Sequence, residues 1–192
     1  MIERLYKWTM DLAAKKGAVW WLAAISFIES SFFPIPPDIL LIPIILANRA
    51  RAAFVVAVCT IASVAGGLFG YAIGFFLFDT VGQPLLDFYG YAEKFGTFQQ
   101  MYNENGGWIV FGAGLTPFPY KVITIASGVT QLDLTTFVIA SVIARGMRFA
   151  LLGVLLWWAG PRILPFIEKN LGLLTIVFFV LLIGGFAAIR LF

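Results

Sequence analysis

A short pattern written twice inside apolar sequence constrains this chain more than any other feature. Pro34, Pro36 and Asp38 recur as Pro117, Pro119 and Lys121, each set lying in the middle of a hydrophobic stretch. Proline has no N–H to donate and pushes the residue before it out of helical geometry, so each set breaks an otherwise helical segment. Inside lipid, opened backbone is tolerated only where protein or a watery cavity covers it. Paired broken segments in the two halves of a chain point to a transporter-like site.

Composition places those breaks in a membrane. The 192 residues are 61% hydrophobic and 12% charged, with a mean hydropathy of +0.94, far from the usage of soluble globular domains. The expected fold class is therefore all-α: a polytopic membrane protein of one domain spanning residues 1–192, with two opposed re-entrant helical hairpins in an inverted repeat and about three full spans. With no histidine in the chain, Ser-His and Cys-His nucleophile systems and histidine-ligated zinc are excluded. No metal site, no cofactor and no enzymatic activity are expected. The lone Cys59 sits in an apolar run and reads as a small buried hydrophobe. A net charge of +3 is too small to argue for nucleic acid.

Along the chain, residues 1–17 place Ile2, Leu5, Trp8 and Leu12 near one face, as an interfacial amphipathic helix does, and show no cleaved leader. Residues 18–47 are apolar but cut at Phe32–Pro37 into arms that reach about 21 and 15 Å against a hydrocarbon core near 30 Å, which reads as the first re-entrant hairpin. Lys15, Lys16, Arg49 and Arg51 make both ends basic and hence cytoplasmic, as is the N-terminus. Residues 53–78 form a span carrying Gly66, Gly70 and Gly74 on one face, a helix-packing seam. Residues 79–105, with Asp79, Asp87, Glu93 and Glu104 against Lys94, read as an acidic external amphipathic segment.

The second hairpin is expected over residues 106–130, with arms at 108–115 and 122–130. One span separates it from the first, so it enters from the opposite face. Residues 134–160 form a span interrupted by Arg145 and Arg148. A polar turn with Arg162, Pro165, Glu168 and Lys169 precedes a last span at 171–191.

Five ionisable side chains fall within apolar segments, where each is costly unless paired or hydrated and is a functional hypothesis by default. Glu29 and Asp38 form the proton or carboxylate site, with Glu29 as the candidate proton carrier. Lys121, Arg145 and Arg148 form the phosphate or head-group site, because guanidinium forks match phosphate oxygens and arginines at i and i+3 share a helical face. Pro34, Pro36, Pro37, Pro117 and Pro119 are the hairpin tips. Three cations against two carboxylates leave one positive charge, which suits a monoanionic phosphate-bearing head group. The competing architectural reading pairs Glu29 with Arg145 and Asp38 with Lys121 merely to pin the hairpins together.

Phe27-Ile28-Glu29 with Phe33-Pro34-Ile35-Pro36-Pro37-Asp38, and Thr116-Pro117-Phe118-Pro119-Tyr120-Lys121 with Ala126-Ser127-Gly128, resemble the DedA superfamily, also called the VTT or SNARE-associated-protein domain, and within it the short YqaA-like branch. The resemblance covers roughly residues 18–160. It implies opposed re-entrant hairpins, a multi-pass location in a bacterial inner membrane, and the movement of lipids such as undecaprenyl phosphate or phospholipids between leaflets, with protons as a coupling ion in bacteria. The acidic residues of the first family motif map onto Glu29 and Asp38. The second motif departs: typical members carry two arginines there, whereas here Lys121 stands for one and no cation lies near Thr116, so Arg145 and Arg148 are left to supply that charge.

The function expected is thus a flippase- or scramblase-like lipid transporter whose partners are a membrane lipid and, as a candidate coupling ion, the proton, with homo-oligomerisation left open. A proton- or cation-coupled small-solute transporter and a non-transporting membrane scaffold are the alternatives.

Overall fold

Each proline set ends one helix and starts the next. The computed structural model describes residues 17–32, 36–116 and 118–160. The interfacial helix expected before Ala18, Pro34, Pro117, the turn at Arg162–Lys169 and the span expected at 171–191 lie outside the described residues. No strand occurs among the described residues.

Helix α1 (Ala18–Ser31) closes with the Phe32 N–H on the Ile28 carbonyl, and α2 (Asp38–Ala47) opens directly after Pro37. Proline is tolerated there because the first helical N–H groups have no acceptor within the helix. A single 3-10 turn, Arg49–Arg51, leads into the 26-residue α3, Ala52–Leu77. A π-turn at Phe78–Gly82 and the short α4 (Gln83–Tyr89) follow. Helix α4 stops at Gly90 in the left-handed conformation (φ 68°), with the Tyr91 N–H reaching back to the Leu86 carbonyl at 2.9 Å, the closing bond of a glycine-terminated helix.

Helix α5 runs unbroken over Ala92–Leu115. It joins the expected acidic segment to the first arm of the second broken pair, where the sequence reading placed a boundary at Gly106. Gly106 and Gly107 are close-approach positions instead: a Cβ on Gly106 would run into the Leu132 side chain, and one on Gly107 would come within 3.2 Å of Thr136. The chain leaves α5 through an extended Thr116 (ψ 170°), the conformation forced on a residue before proline. Helix α6 (Tyr120–Val129) then begins after Pro119. Gln131 takes a left-handed φ of 56°, and Asp133 caps α7 (Leu134–Gly160) by accepting from the Thr136 N–H at 2.7 Å and its hydroxyl at 2.9 Å.

Two of these helical segments, Arg49–Gly82 and Leu134–Gly160, are long and apolar enough to cross a membrane. Their outward surfaces carry large apolar side chains, including Phe54, Ile61, Phe76, Leu151, Val154 and Trp158, an extent of exposed hydrophobic surface that soluble monomers rarely show.

Helix α3 is the axis of packing, with α1 and α6 both lying along it. The glycine seam is what lets them in. A Cβ on Gly66 would collide with the Phe27 carbonyl of α1, one on Gly70 with the Thr124 hydroxyl of α6, and one on Gly74 with the Ile125 carbonyl of α6. Gly128 of α6 returns the contact, lying against the Tyr71 carbonyl of α3. Small residues of this kind allow helix backbones to approach closely where lipid supplies no hydrophobic drive.

The core falls into two apolar clusters. One joins Leu22, Leu40, Leu41, Ile45, Val55, Cys59 and Phe149 across α1, α2, α3 and α7. The other joins Tyr102, Val110, Tyr120, Leu132 and Phe137 across α5, α6 and α7. Buried serines and threonines and one fully buried arginine complete the interior.

Candidate functional site

Helical periodicity collects the polar groups. On α1, Ser26 and Ser30 are four residues apart and share a face with Glu29 at its edge; on α3, Cys59, Ser63, Gly66 and Gly70 follow one stripe. Ser26 donates to the Cys59 carbonyl at 2.8 Å; the Ser31 hydroxyl lies 3.0 Å from the Gly66 carbonyl and 2.7 Å from the Phe27 carbonyl of its own helix, and the Thr124 hydroxyl of α6 lies 3.3 Å from the Ser30 carbonyl and 2.9 Å from that of Lys121. These contacts fix the height of α1 against α3 and α6, and with it the position of Glu29.

Arg145 of α7 enters this layer and is only 1% exposed. Its Nη2 donates to Glu29 Oε2 at 2.8 Å and its Nε to Ser63 Oγ at 2.6 Å. Ser63 Oγ lies 2.7 Å from Ser30 Oγ, and Ser30 donates to Glu29 Oε2 at 3.2 Å. A hydroxyl has one proton. Either serine can supply the proton of the Ser30–Ser63 bond, so Arg145 reaches Glu29 both directly and through the two hydroxyls, and the four residues form one hydrogen-bonded cluster. The guanidinium also stacks 4.9 Å from the Tyr120 ring and 4.8 Å from the Phe149 ring, contacts that favour a desolvated cation.

A second ion pair lies beside the first. Arg148 Nη2 donates to Asp38 Oδ2 at 2.6 Å, with about a quarter of each side chain exposed. Arg148 also lies 5.4 Å from Phe149, so one buried ring touches both guanidinium groups. Asp38 occupies the first turn of α2, where the helix dipole favours a carboxylate.

Lys121 is placed differently. It is half-buried in the first turn of α6, and no carboxylate stands within ion-pairing distance of it among the described residues. A cation at the positive end of a helix gains nothing from the dipole, and the two together make that point electropositive.

The structure therefore corrects two expectations about these charges. Asp38 does not pair with Lys121, because α7 passes the start of α2 and Arg148 takes the carboxylate. Nor do Arg145 and Arg148, expected to share one face toward a phosphate, turn to one point: each holds a different acid, and Arg145 is enclosed. The Glu29–Arg145 pair is present. Of the hairpin-tip prolines, Pro36, Pro37 and Pro119 are described, and they border the starts of α2 and α6. Gly66, Gly70 and Gly74 are close-packed on α3 as expected.

Sequence reading passed over Ser30, Ser63, Tyr120 and Phe149. The i, i+4 and i+7 spacing of small polar residues with the glycine seam was the available signal for the serines. Among the described residues no group of three His, Cys, Asp or Glu side chains gathers to hold a metal ion.

The arrangement in which both arginines of one long helix hold both acids of the first broken pair spans almost the whole described chain. The VTT domain model matches residues 35–157, from the start of α2 through the second broken pair and into α7. The chain belongs to the VTT-domain family. This is the domain of the DedA family, a membrane transporter family. Two relatives share most of their length with this VTT-domain chain. An uncharacterized protein of Haemophilus influenzae is 38% identical over 167 residues, covering 87% of this chain and 86% of its own. An uncharacterized protein of Histophilus somni is 36% identical over 158 residues, 82% of each chain. No solved structure matches this VTT-domain protein.

Proposed function

We propose that this VTT-domain protein is a transporter rather than an enzyme, and that it carries a phosphate-bearing lipid, such as a phospholipid or undecaprenyl phosphate, across the bilayer of a bacterial inner membrane. One observation carries the reading. Glu29 and Asp38 are neutralised by Arg145 and Arg148, while Lys121 stands at the positive start of α6 with no acid beside it among the described residues. Such a site has one unit of positive charge to offer, which suits a monoanionic phosphodiester or a protonated phosphomonoester.

In this reading the two broken helix pairs are re-entrant hairpins arranged as an inverted repeat, with the basic flanks cytoplasmic. Lys121 meets the phosphate first. Arg148, a quarter exposed, is the next donor, and Arg145 holds the hairpin through Glu29 instead of meeting the head group. Protonation of Glu29 weakens its hold on Arg145, which supplies a route for proton coupling.

The test is reconstitution of the full chain in vesicles carrying a head-group-labelled phospholipid, with a membrane-impermeant quencher outside. Crossing of the label that is slowed by Lys121→Gln is the expected result. If the label never crosses while a proton gradient drives uptake of a soluble solute, the lipid reading fails and the small-solute carrier replaces it. The completeness of the two ion pairs favours a second reading, a non-transporting scaffold. That reading holds if neither species moves and cells tolerate Lys121→Gln while Gly70→Leu abolishes function.

A further inference from the structure

Away from the charged layer, α3 and α7 enclose a trough of about 440 Å³. Its walls are small residues in helical register: Ala53 and Ala57 on α3 face Ala150 and Gly153 on α7, with Trp157 at one end. A Cβ on Gly153 would come within 2.6 Å of Val56 Cγ2, so the two helices touch along the floor of the trough. Seven residues of helix rise about 10 Å, so the trough runs parallel to two helices that are long enough to span a bilayer. Elsewhere the outward surfaces of both helices carry large side chains, with Phe54, Leu151 and Trp158 more than half exposed. The small residues thus make a concave strip in an otherwise bulky apolar surface.

One end of the strip is charged. Arg49 lines the trough and its Nη1 reaches the Trp157 carbonyl at 3.5 Å, and Arg51 lies on the same exposed 3-10 turn. Neither has a carboxylate within ion-pairing distance among the described residues. An apolar slot parallel to two membrane-length helices, with the Arg49 guanidinium at its end and Arg51 two residues further along the same turn, has the polarity of an anionic lipid: tail in the slot, phosphate at the basic end. Basic pockets between membrane helices recognise anionic head groups in this way, and guanidinium forks match phosphate oxygens.

We propose that this trough is a binding site for an anionic glycerophospholipid, one acyl chain lying between α3 and α7 and the phosphate held by Arg49 and Arg51. It shares no lining residue with the Glu29–Arg145 layer and does not depend on transport.

The test uses the full chain in neutral detergent, titrated with dioleoylphosphatidylglycerol or dioleoylphosphatidylcholine, reading retained lipid by native mass spectrometry and the thermal midpoint. Phosphatidylglycerol is expected to bind and to raise the midpoint, less so at high salt, while phosphatidylcholine does neither. Arg49→Gln or Arg51→Gln weakens the anionic lipid roughly fivefold and the double variant roughly thirtyfold, and Arg49→Lys retains most of the binding. Ala57→Phe fills the slot from an exposed position and weakens binding without touching the arginines. Equal binding of the zwitterionic lipid, or unchanged phosphatidylglycerol affinity in the double variant or in Ala57→Phe, overturns the assignment. Loss of binding in Lys121→Gln with retention in the double variant assigns the lipid to the central layer and overturns it equally.

Discussion

Ser63 Oγ accepts a hydrogen bond from the Nε of the fully buried Arg145 at 2.6 Å, tying the helix that carries the glycine seam to the helix that carries both arginines. The bond gives a buried cation an acceptor, within the cluster that also holds Ser30 and Glu29.

Ser63→Ala leaves that N–H buried without an acceptor. A buried donor deprived of its partner costs about 1–3 kcal/mol, more when charged. The thermal midpoint in detergent should fall accordingly, and Ser63→Thr, which keeps the hydroxyl, should lose less. A midpoint unchanged in Ser63→Ala would show that Arg145 finds another acceptor.

Removing one member of the Glu29–Arg145 pair should cost more than removing both. Glu29→Leu strands a buried guanidinium and is expected to destabilise by about 3 kcal/mol or more, whereas replacing both partners with apolar residues is often close to neutral. Chemical denaturation of Glu29→Leu and of Glu29→Leu with Arg145→Met gives the comparison. A double variant no more stable than the single one contradicts an enclosed pair.

Two classes of glycine should separate cleanly. Alanine at Gly66 or Gly128 drives a methyl into the Phe27 or Tyr71 carbonyl and is expected to cost about 1–3 kcal/mol through overpacking. Gly96 and Gly112 lie within α5 and meet nothing within 4 Å, so alanine there should stabilise by up to about 1 kcal/mol through helix propensity. Midpoints of the four single variants test this, and a loss at Gly96 or Gly112 as large as at Gly66 would contradict the packing.

The α7 cap should respond to acid. The Thr136 backbone N–H, and then its hydroxyl, hold the exposed Asp133 carboxyl below the usual carboxylate range. A folded value below the unfolded one means that the cap stabilises fully above about pH 4 and that this contribution is lost as pH falls through the folded value. Asp133→Asn should therefore show a smaller drop in thermal midpoint than the parent chain on going from pH 5 to pH 3. Identical slopes would remove Asp133 from the acid response.

Much of the architecture was legible because it depends on local chemistry. Proline geometry fixed the breaks, and helices form over Ala18–Ser31 and Asp38–Ala47, the two arms read from composition alone. The four-residue spacing of Gly66, Gly70 and Gly74 identified a close-packing face, and it is the face along which α1 and α6 lie. The boundary at Gly106 misled for a physical reason. It lies where acidic sequence gives way to apolar sequence, but a change in polarity does not end a helix, and the missing side chains of Gly106 and Gly107 let the continuous α5 approach Leu132 and Thr136.

By itself the sequence determined an all-helical apolar chain, where its helices break, and which segments carry charge, because these follow from backbone sterics, periodicity and transfer energies of single residues. Only the tertiary structure decided which acid meets which base. That choice depends on the height at which α7 crosses the first broken pair, a relation between distant segments set by glycine contacts and serine hydrogen bonds, and it gave Glu29 to Arg145 and Asp38 to Arg148. Lys121 was left at the start of α6, where no acid among the described residues reaches it.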